Sequence, residues 1–280
     1  MEKLVVLILI LASSSLNIFH NQKFFDQEKN RLMALASDLK RVYVSMNEYI
    51  HTKDNWSSPL PSISYKNPFE DEDFIYIAHR GGNYSKPNSL EAVISTQKKG
   101  YRFYEIDFLI AGEDLLCLGN YRKLCTIKEV LDTLKESQFL IVDLKGSSFA
   151  QTERILPRKI KQLVTNNKTI FQLYSEEDVQ TFAEITGNLE RDSVVNMPII
   201  TLYKSKSSVG KAIHELPPQM QLITVPFTRV AEASFSARTL QIKRKILTHP
   251  VNKCSSLITL PQEISGIYGE NHMTNCKKYF

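Results

Sequence analysis

Residues 75–108 read IYIAHRGGNYSKPNSLEAVISTQKKGYRFYEIDF. A short apolar run ends in His79-Arg80-Gly81-Gly82, and a second apolar run carries Glu105 and Asp107. Between them, Ser89 to Gly100 has an N-capping residue at its start, a stop glycine at its end, and Leu90, Val93 and Ile94 on one face. Strand, helix and strand in this order predict a parallel pair joined by a crossover helix.

The texture continues to the end of the chain. FIYIAH, FYEIDF, FLIVDLK, TIFQLYS, VVNMPIITLY, LITVPFT, KILTHPVN and ISGIYG are short β-rich runs, and helical stretches such as TIKEVLDTLKES and SEEDVQTFAEITG lie between several of them. Eight such runs predict an α/β protein with a (β/α)8 TIM barrel over residues 74–280. A doubly wound open sheet is the rival. The barrel is favoured because polar residues recur at the C-terminal ends of different strands: His79, Glu105, Asp107, Asp143, Lys145, Tyr174, His249 and Asn252. Barrel active sites form on that face. The 280 residues suffice for one such domain.

Side-chain direction gives these residues a chemistry. Glu105 and Asp107 are two apart on one strand and so point to the same side. Two inward acids are costly unless paired or metal-bound, and a hard divalent cation with oxygen ligands resolves the cost. Asp143 adds a third carboxylate from the next strand, with Lys145 two residues on. A histidine beside a metal-bound phosphate serves as nucleophile or general base, which fits His79. Arg80 and Lys145 are suited to neutralise phosphate oxygens, and Gly81 and Gly82 let the backbone pass close to a ligand.

The start, MEKLVVLILILASSSLNIF, has Lys3, an apolar run from Leu4 to Leu11 and small residues after it. It predicts a signal peptide over 1–19, cleaved or kept as a membrane anchor, and hence an exported chain with a membrane association through its N-terminus if the anchor stays. Residues 20–73 read as one long helix over 21–50 followed by a proline-containing linker. Four cysteines, Cys117, Cys125, Cys254 and Cys276, fit an oxidising compartment. Three disulfide connectivities are open, of which Cys117–Cys125 with Cys254–Cys276 is the most local; four free thiols are the alternative. No Cys-x-x-Cys spacing argues for zinc. A formal net charge of +5, without basic runs interleaved with aromatics, argues against nucleic acid.

These residues together resemble the glycerophosphodiester phosphodiesterase family of the phospholipase C-like barrels. AHRGG, then NSLEA, then YEIDF, looks like that family's His-Arg-Gly opening, helix start and Glu-x-Asp strand. LIVDLK, ILTHPVN and ISGIYG are similar to later strands, so the match runs from about Ile75 to Gly269. The resemblance implies a TIM barrel that takes Mg²⁺ or Ca²⁺ on Glu105, Asp107 and Asp143. It implies His79 as catalytic histidine and Arg80 and Lys145 as catalytic and substrate-binding groups. The expected substrates are glycerophosphodiesters or phospholipid headgroups.

The resemblance departs at one place. The family carries a second histidine, in a His-Asp pair, where this chain has Gly119-Asn120. Neither residue exchanges a proton near neutral pH. General acid–base assistance contributes about 10²–10⁴-fold, so the change bears on turnover. His249, His272 and Tyr121 are the candidates to replace it. The alternative function is a catalytically impaired barrel that binds a phosphate or polyol.

Overall fold

The computed structural model describes residues 64–82, 85–119, 125–190, 192–202, 209–217, 219–241, 243–270 and Cys276. The expected signal over 1–19 and helix over 21–50 lie outside the described residues. The strands are β1 (Ser64–Lys66), β2 (Ile75–Ala78), β3 (Phe103–Ala111), β4 (Asp114–Cys117), β5 (Phe139–Leu144), β6 (Thr169–Leu173), β7 (Val194–Asn196), β8 (Ile199–Thr201), β9 (Leu222–Pro226), β10 (Lys245–Val251) and β11 (Ile264–Gly269). Eight of them close into a parallel barrel in the order β2-β3-β5-β6-β8-β9-β10-β11, with β11 pairing back onto β2. The architecture is the (β/α)8 barrel expected from the sequence.

The strands are buried on both faces, which is why they read as near-continuous apolar runs. FLIVDL of β5 and TIFQL of β6 are buried at every position. Alternate residues fill the barrel. Ile77, Phe103, Ile141, Ile170, Ile199, Leu222, Leu247 and Tyr268 form one interior cluster. The other set, including Tyr104, Ile106, Val142 and Phe171, packs outward in the layer that carries the helices. Continuing the inward alternation past the apolar layer brings Glu105, Asp107, Asp143, Gln172, Thr201, Thr224 and His249 to one end of the barrel.

The other end is covered by the last part of the segment read as a linker. Its β1 pairs with β7, outside the barrel, and Phe69 is fully buried against Phe103 at a ring distance of 4.2 Å. The Lys245 ammonium donates to the carbonyls of Phe69, Glu70 and Glu72 and holds this cover on.

Helix α1 (Leu90–Gln97) starts at Ser89, whose hydroxyl accepts the Ala92 N–H. Capping boxes at Thr126/Glu129 and Ser148/Gln151 start α2 (Ile127–Thr133) and α3 (Phe149–Ile155). The stretch RILPRKIKQLVTNN does not form one continuous helix but breaks at Leu156. Pro157 cannot donate to the preceding turn and instead opens α4 (Pro157–Val164). Four more helices follow: α5 (Glu176–Gly187), α6 (Val209–Glu215), α7 (Val230–Thr239) and α8 (Cys254–Ile258). Cysteines 117 and 125 are bonded, with Cα atoms 5.2 Å apart, and so are 254 and 276, at 5.5 Å. These are the two most local pairs.

Barrel closure depends on a close approach at Gly266. A Cβ there would lie 2.5 Å from the Ile75 carbonyl oxygen and 2.6 Å from the Ile75 Cβ. Gly266→Ala is therefore expected to destabilise the fold by about 3 kcal/mol in a denaturant titration. A loss below about 0.5 kcal/mol, the range of an indifferent surface change, would contradict this packing of β11 on β2.

Candidate active site

The strand ends described above surround a cavity of about 610 Å³. Its construction starts at the turn His79–Gly82. Arg80 (φ 52°), Gly81 (φ 78°) and Gly82 (φ 83°) are three successive left-handed residues. Glycine tolerates this conformation; arginine pays about 1–2 kcal/mol for it. The Arg80 N–H donates to Glu105 Oε2 at 2.7 Å, which offsets the strain and ties the turn to β3. At Gly81 a Cβ would be 2.8 Å from the Ala92 Cβ, so the turn lies directly on α1.

Glu105, Asp107 and Asp143 meet in the cavity. Asp107 and Asp143 are register partners on β3 and β5. One carboxylate oxygen from each of the three acids lies within 4.8 Å of the others, and all three residues are buried. The Lys145 ammonium donates to Asp143 Oδ2 at 2.6 Å and lies 3.1 Å from Asp107 Oδ1. Arg80 Nε is 3.4 Å from Asp107 Oδ2. Tyr174 donates its hydroxyl to Asp143 Oδ2 at 2.7 Å. Asn88 grips Asp107 twice, donating to Oδ2 at 2.8 Å and accepting the backbone N–H at 3.0 Å, and also donates to the Leu118 carbonyl.

The electrostatics show a site short of positive charge. Burial, then the charges of Asp107 and Asp143, push the Glu105 carboxyl well above the usual range. Burial also raises Asp143, even with Lys145 and Tyr174 opposing it. For Lys145, burial acts downward, but the carboxylates of Asp143 and Asp107 outweigh it and raise the ammonium overall. Asp143 Oδ1 is buried with no hydrogen-bond partner among the described residues. Three clustered acids, one ammonium, one guanidinium and an orphaned carboxylate oxygen fit a hard divalent cation.

His79 is buried, with Nδ1 facing Glu270 Oε1 at 3.6 Å, just beyond hydrogen-bond reach. Its ring meets that of His249 edge to face at 4.4 Å. His249 packs in turn against Tyr268 at 5.1 Å. Tyr268 donates to Gln172 Oε1, and Gln172 donates to the Tyr174 hydroxyl. A line of neutral hydrogen-bonding groups thus crosses the floor from His249 to Asp143.

His79, Arg80, Glu105, Asp107, Asp143 and Lys145 all line the cavity, as do Tyr174 and His249. Asn252, flagged at a strand end, is exposed and not part of the lining. His272 and Tyr121 lie outside the described residues. Glu270 and Gln172 went unnoticed in the sequence. Gln172 follows Ile170 by two on β6 and was open to the same alternation argument; Glu270 sits alone after β11 with no local pattern.

No family model matches the chain, and no curated protein matches it by sequence. Solved structures do match in three dimensions. A glycerophosphodiester phosphodiesterase from Parabacteroides distasonis aligns with a TM-score of 0.56 at 15% identity, over 74% of this chain and 96% of that one. One from Thermotoga maritima aligns at 0.54 and 14%, over 75% and 99%. The chain has the glycerophosphodiester phosphodiesterase fold. A third relative by this fold is a phosphodiesterase from Oleispira antarctica, solved with its product sn-glycerol-3-phosphate, at 0.55 and 12% over 76% and 99%.

Proposed function

We propose that the chain is an exported, metal-dependent phosphoric diester hydrolase acting on glycerophosphodiesters or phospholipid headgroups. The observation that carries this reading is the convergence of His79, Arg80, Glu105, Asp107, Asp143 and Lys145 on one cavity. The fold shared with glycerophosphodiester phosphodiesterases supports it. Export rests on the N-terminal sequence and the two disulfides.

Glu105, Asp107 and Asp143 would hold the Mg²⁺ or Ca²⁺, which when bound supplies Lewis-acid polarisation of a phosphoryl oxygen. The Arg80 guanidinium and Lys145 ammonium neutralise the remaining phosphate charge. Lys145 already spans Asp107 and Asp143, so it swings little to reach a ligand beside them. His79 moves the proton. Its Nδ1 faces Glu270, which favours the tautomer protonated there and leaves Nε2 for the reacting oxygen. Asn88 keeps Asp107 oriented from behind.

The test is an assay of the purified full chain on a panel of glycerophosphodiesters and phospholipids, with Mg²⁺ or Ca²⁺ and with chelator. Metal-dependent release of glycerol phosphate or headgroup is the expected result. Tight binding of phosphate or polyol without turnover across the panel would favour the impaired, ligand-binding barrel that the glycine at 119 suggests.

A further inference from the structure

We infer that His249 is a further catalytic residue, donating a ring N–H to an oxygen of the bound phosphodiester beside His79. The inference rests on the hydrolase reading above. Three observations carry it. Leu247 and His249 are alternate residues of β10; Leu247 fills the barrel interior, so His249 is brought to the mouth, where it lines the cavity. Its ring meets His79 at 4.4 Å, so a ligand reaching His79 also meets His249. The position that carries a second histidine in the resembled family is Gly119 here, just past the end of β4.

The spacing also fixes what His249 does. Two imidazoles in contact cannot stand at opposite ends of an in-line displacement, where attacking and leaving oxygens lie on either side of phosphorus. His249 is therefore not the opposed acid of a two-histidine pair but a donor acting next to His79. Burial, then the charges of His79, Lys145 and Arg80, hold its pKa down to about 2. It stays neutral at working pH and keeps one N–H to donate, without itself titrating. The His249 ring packs on Tyr268, from which the line through Gln172 and Tyr174 runs to Asp143.

Three full-length chains decide the matter: wild type, His249→Phe and His249→Gln. Phenylalanine keeps the ring packing and removes both nitrogens; glutamine keeps a donor. With a glycerophosphodiester and Ca²⁺, His249→Phe should lose about 10²-fold in kcat, and glutamine should recover at least about tenfold of that. In calorimetric titration with sn-glycerol 3-phosphate and Ca²⁺, affinity should fall in the order wild type, glutamine, phenylalanine. A phenylalanine variant with wild-type kcat, or a glutamine variant as impaired as phenylalanine at equal melting temperature, overturns the inference. Wild-type binding without turnover removes the hydrolase reading and the catalytic role with it, and the affinity order then decides whether His249 donates to the bound phosphate. Wild type that neither binds nor turns over overturns both.

Discussion

Glu105→Gln is expected to make the metal-free protein more stable and to cut turnover of phosphodiesters on the order of 10³-fold. Glu105 is buried beside two other acids, and its carboxyl is raised mainly by that burial. The folded state therefore binds this proton more tightly than the unfolded chain. The stability it contributes is fully present below the unfolded value of 4.5 and is lost as pH rises through the raised folded value. Asp143 is shifted in the same direction. In chelator, wild type should lose melting temperature as pH rises from 5 to about 8, with a steeper slope than Glu105→Gln. At the alkaline end the variant should be more stable by about 1–3 kcal/mol, because an uncompensated buried charge has gone. Glutamine retains an oxygen to accept the Arg80 N–H, so the turn is kept. Adding Ca²⁺ or Mg²⁺ offsets that lead: a saturating ion at about 100 times its Kd stabilises wild type by about 2.7 kcal/mol. The variant should gain little and should lose turnover on the order of 10³-fold. Equal slopes and equal metal response in the two proteins would remove Glu105 from the cation site.

His79→Gln is the second large effect, and its signature is the opposite one. Removal of the proton-moving imidazole should lower kcat by about 10²–10⁴-fold. Divalent-ion stabilisation should stay at the wild-type level, since His79 is not among the three clustered acids. Glu270→Gln should fall between the two proteins: the residue faces Nδ1 at 3.6 Å and acts through His79. Its loss should appear in kcat and in the shape of the pH–rate profile, with KM little changed. A His79→Gln chain that retains wild-type turnover would show that the acid–base group lies elsewhere in the cavity.

The barrel was legible because parallel strands buried on both faces announce themselves as unbroken apolar runs, and all eight appear in the sequence. The acids were legible for the same geometric reason. Glu105 and Asp107 interrupt such a run at alternate positions, which is intolerable for a barrel interior unless something pairs them. Other features left weaker traces. β4 is four residues hydrogen-bonded to β3 in a hairpin, so its direction depends on a turn at Gly112 rather than on its own composition. VAEASFSART of α7 has small and polar residues buried, including Glu232, which is held by Arg229 and the Val209 N–H. Its burial therefore does not follow a hydrophobic stripe. VVNMPIITLY reads as one run, yet only Ile199–Thr201 joins the barrel while Val194–Asn196 pairs with β1. Glu270 is the functional omission. Its partner lies at the far end of the barrel sequence and meets it only because β11 closes onto β2. No local pattern reports a contact made by closure.

The loop after β4 shows how a departure from the resembled family is accommodated. The Cys117–Cys125 bond flanks the place of the missing histidine. Leu118 remains useful there: its N–H donates to the Asp107 carbonyl and its own carbonyl accepts from Asn88. Leu118 thus supports the orientation of Asp107 from the position just before Gly119.

A single cation site formed by Glu105, Asp107 and Asp143 at the barrel mouth is open to direct observation. Crystals of the protein grown with Mn²⁺ and measured for anomalous scattering test it most directly. One ion should appear with oxygens of all three residues at about 2.0–2.6 Å and His249 and His79 on the ligand side of the cavity. Anomalous density absent from these carboxylates at saturating metal, or placed elsewhere in a protein that hydrolyses phosphodiesters, would contradict it.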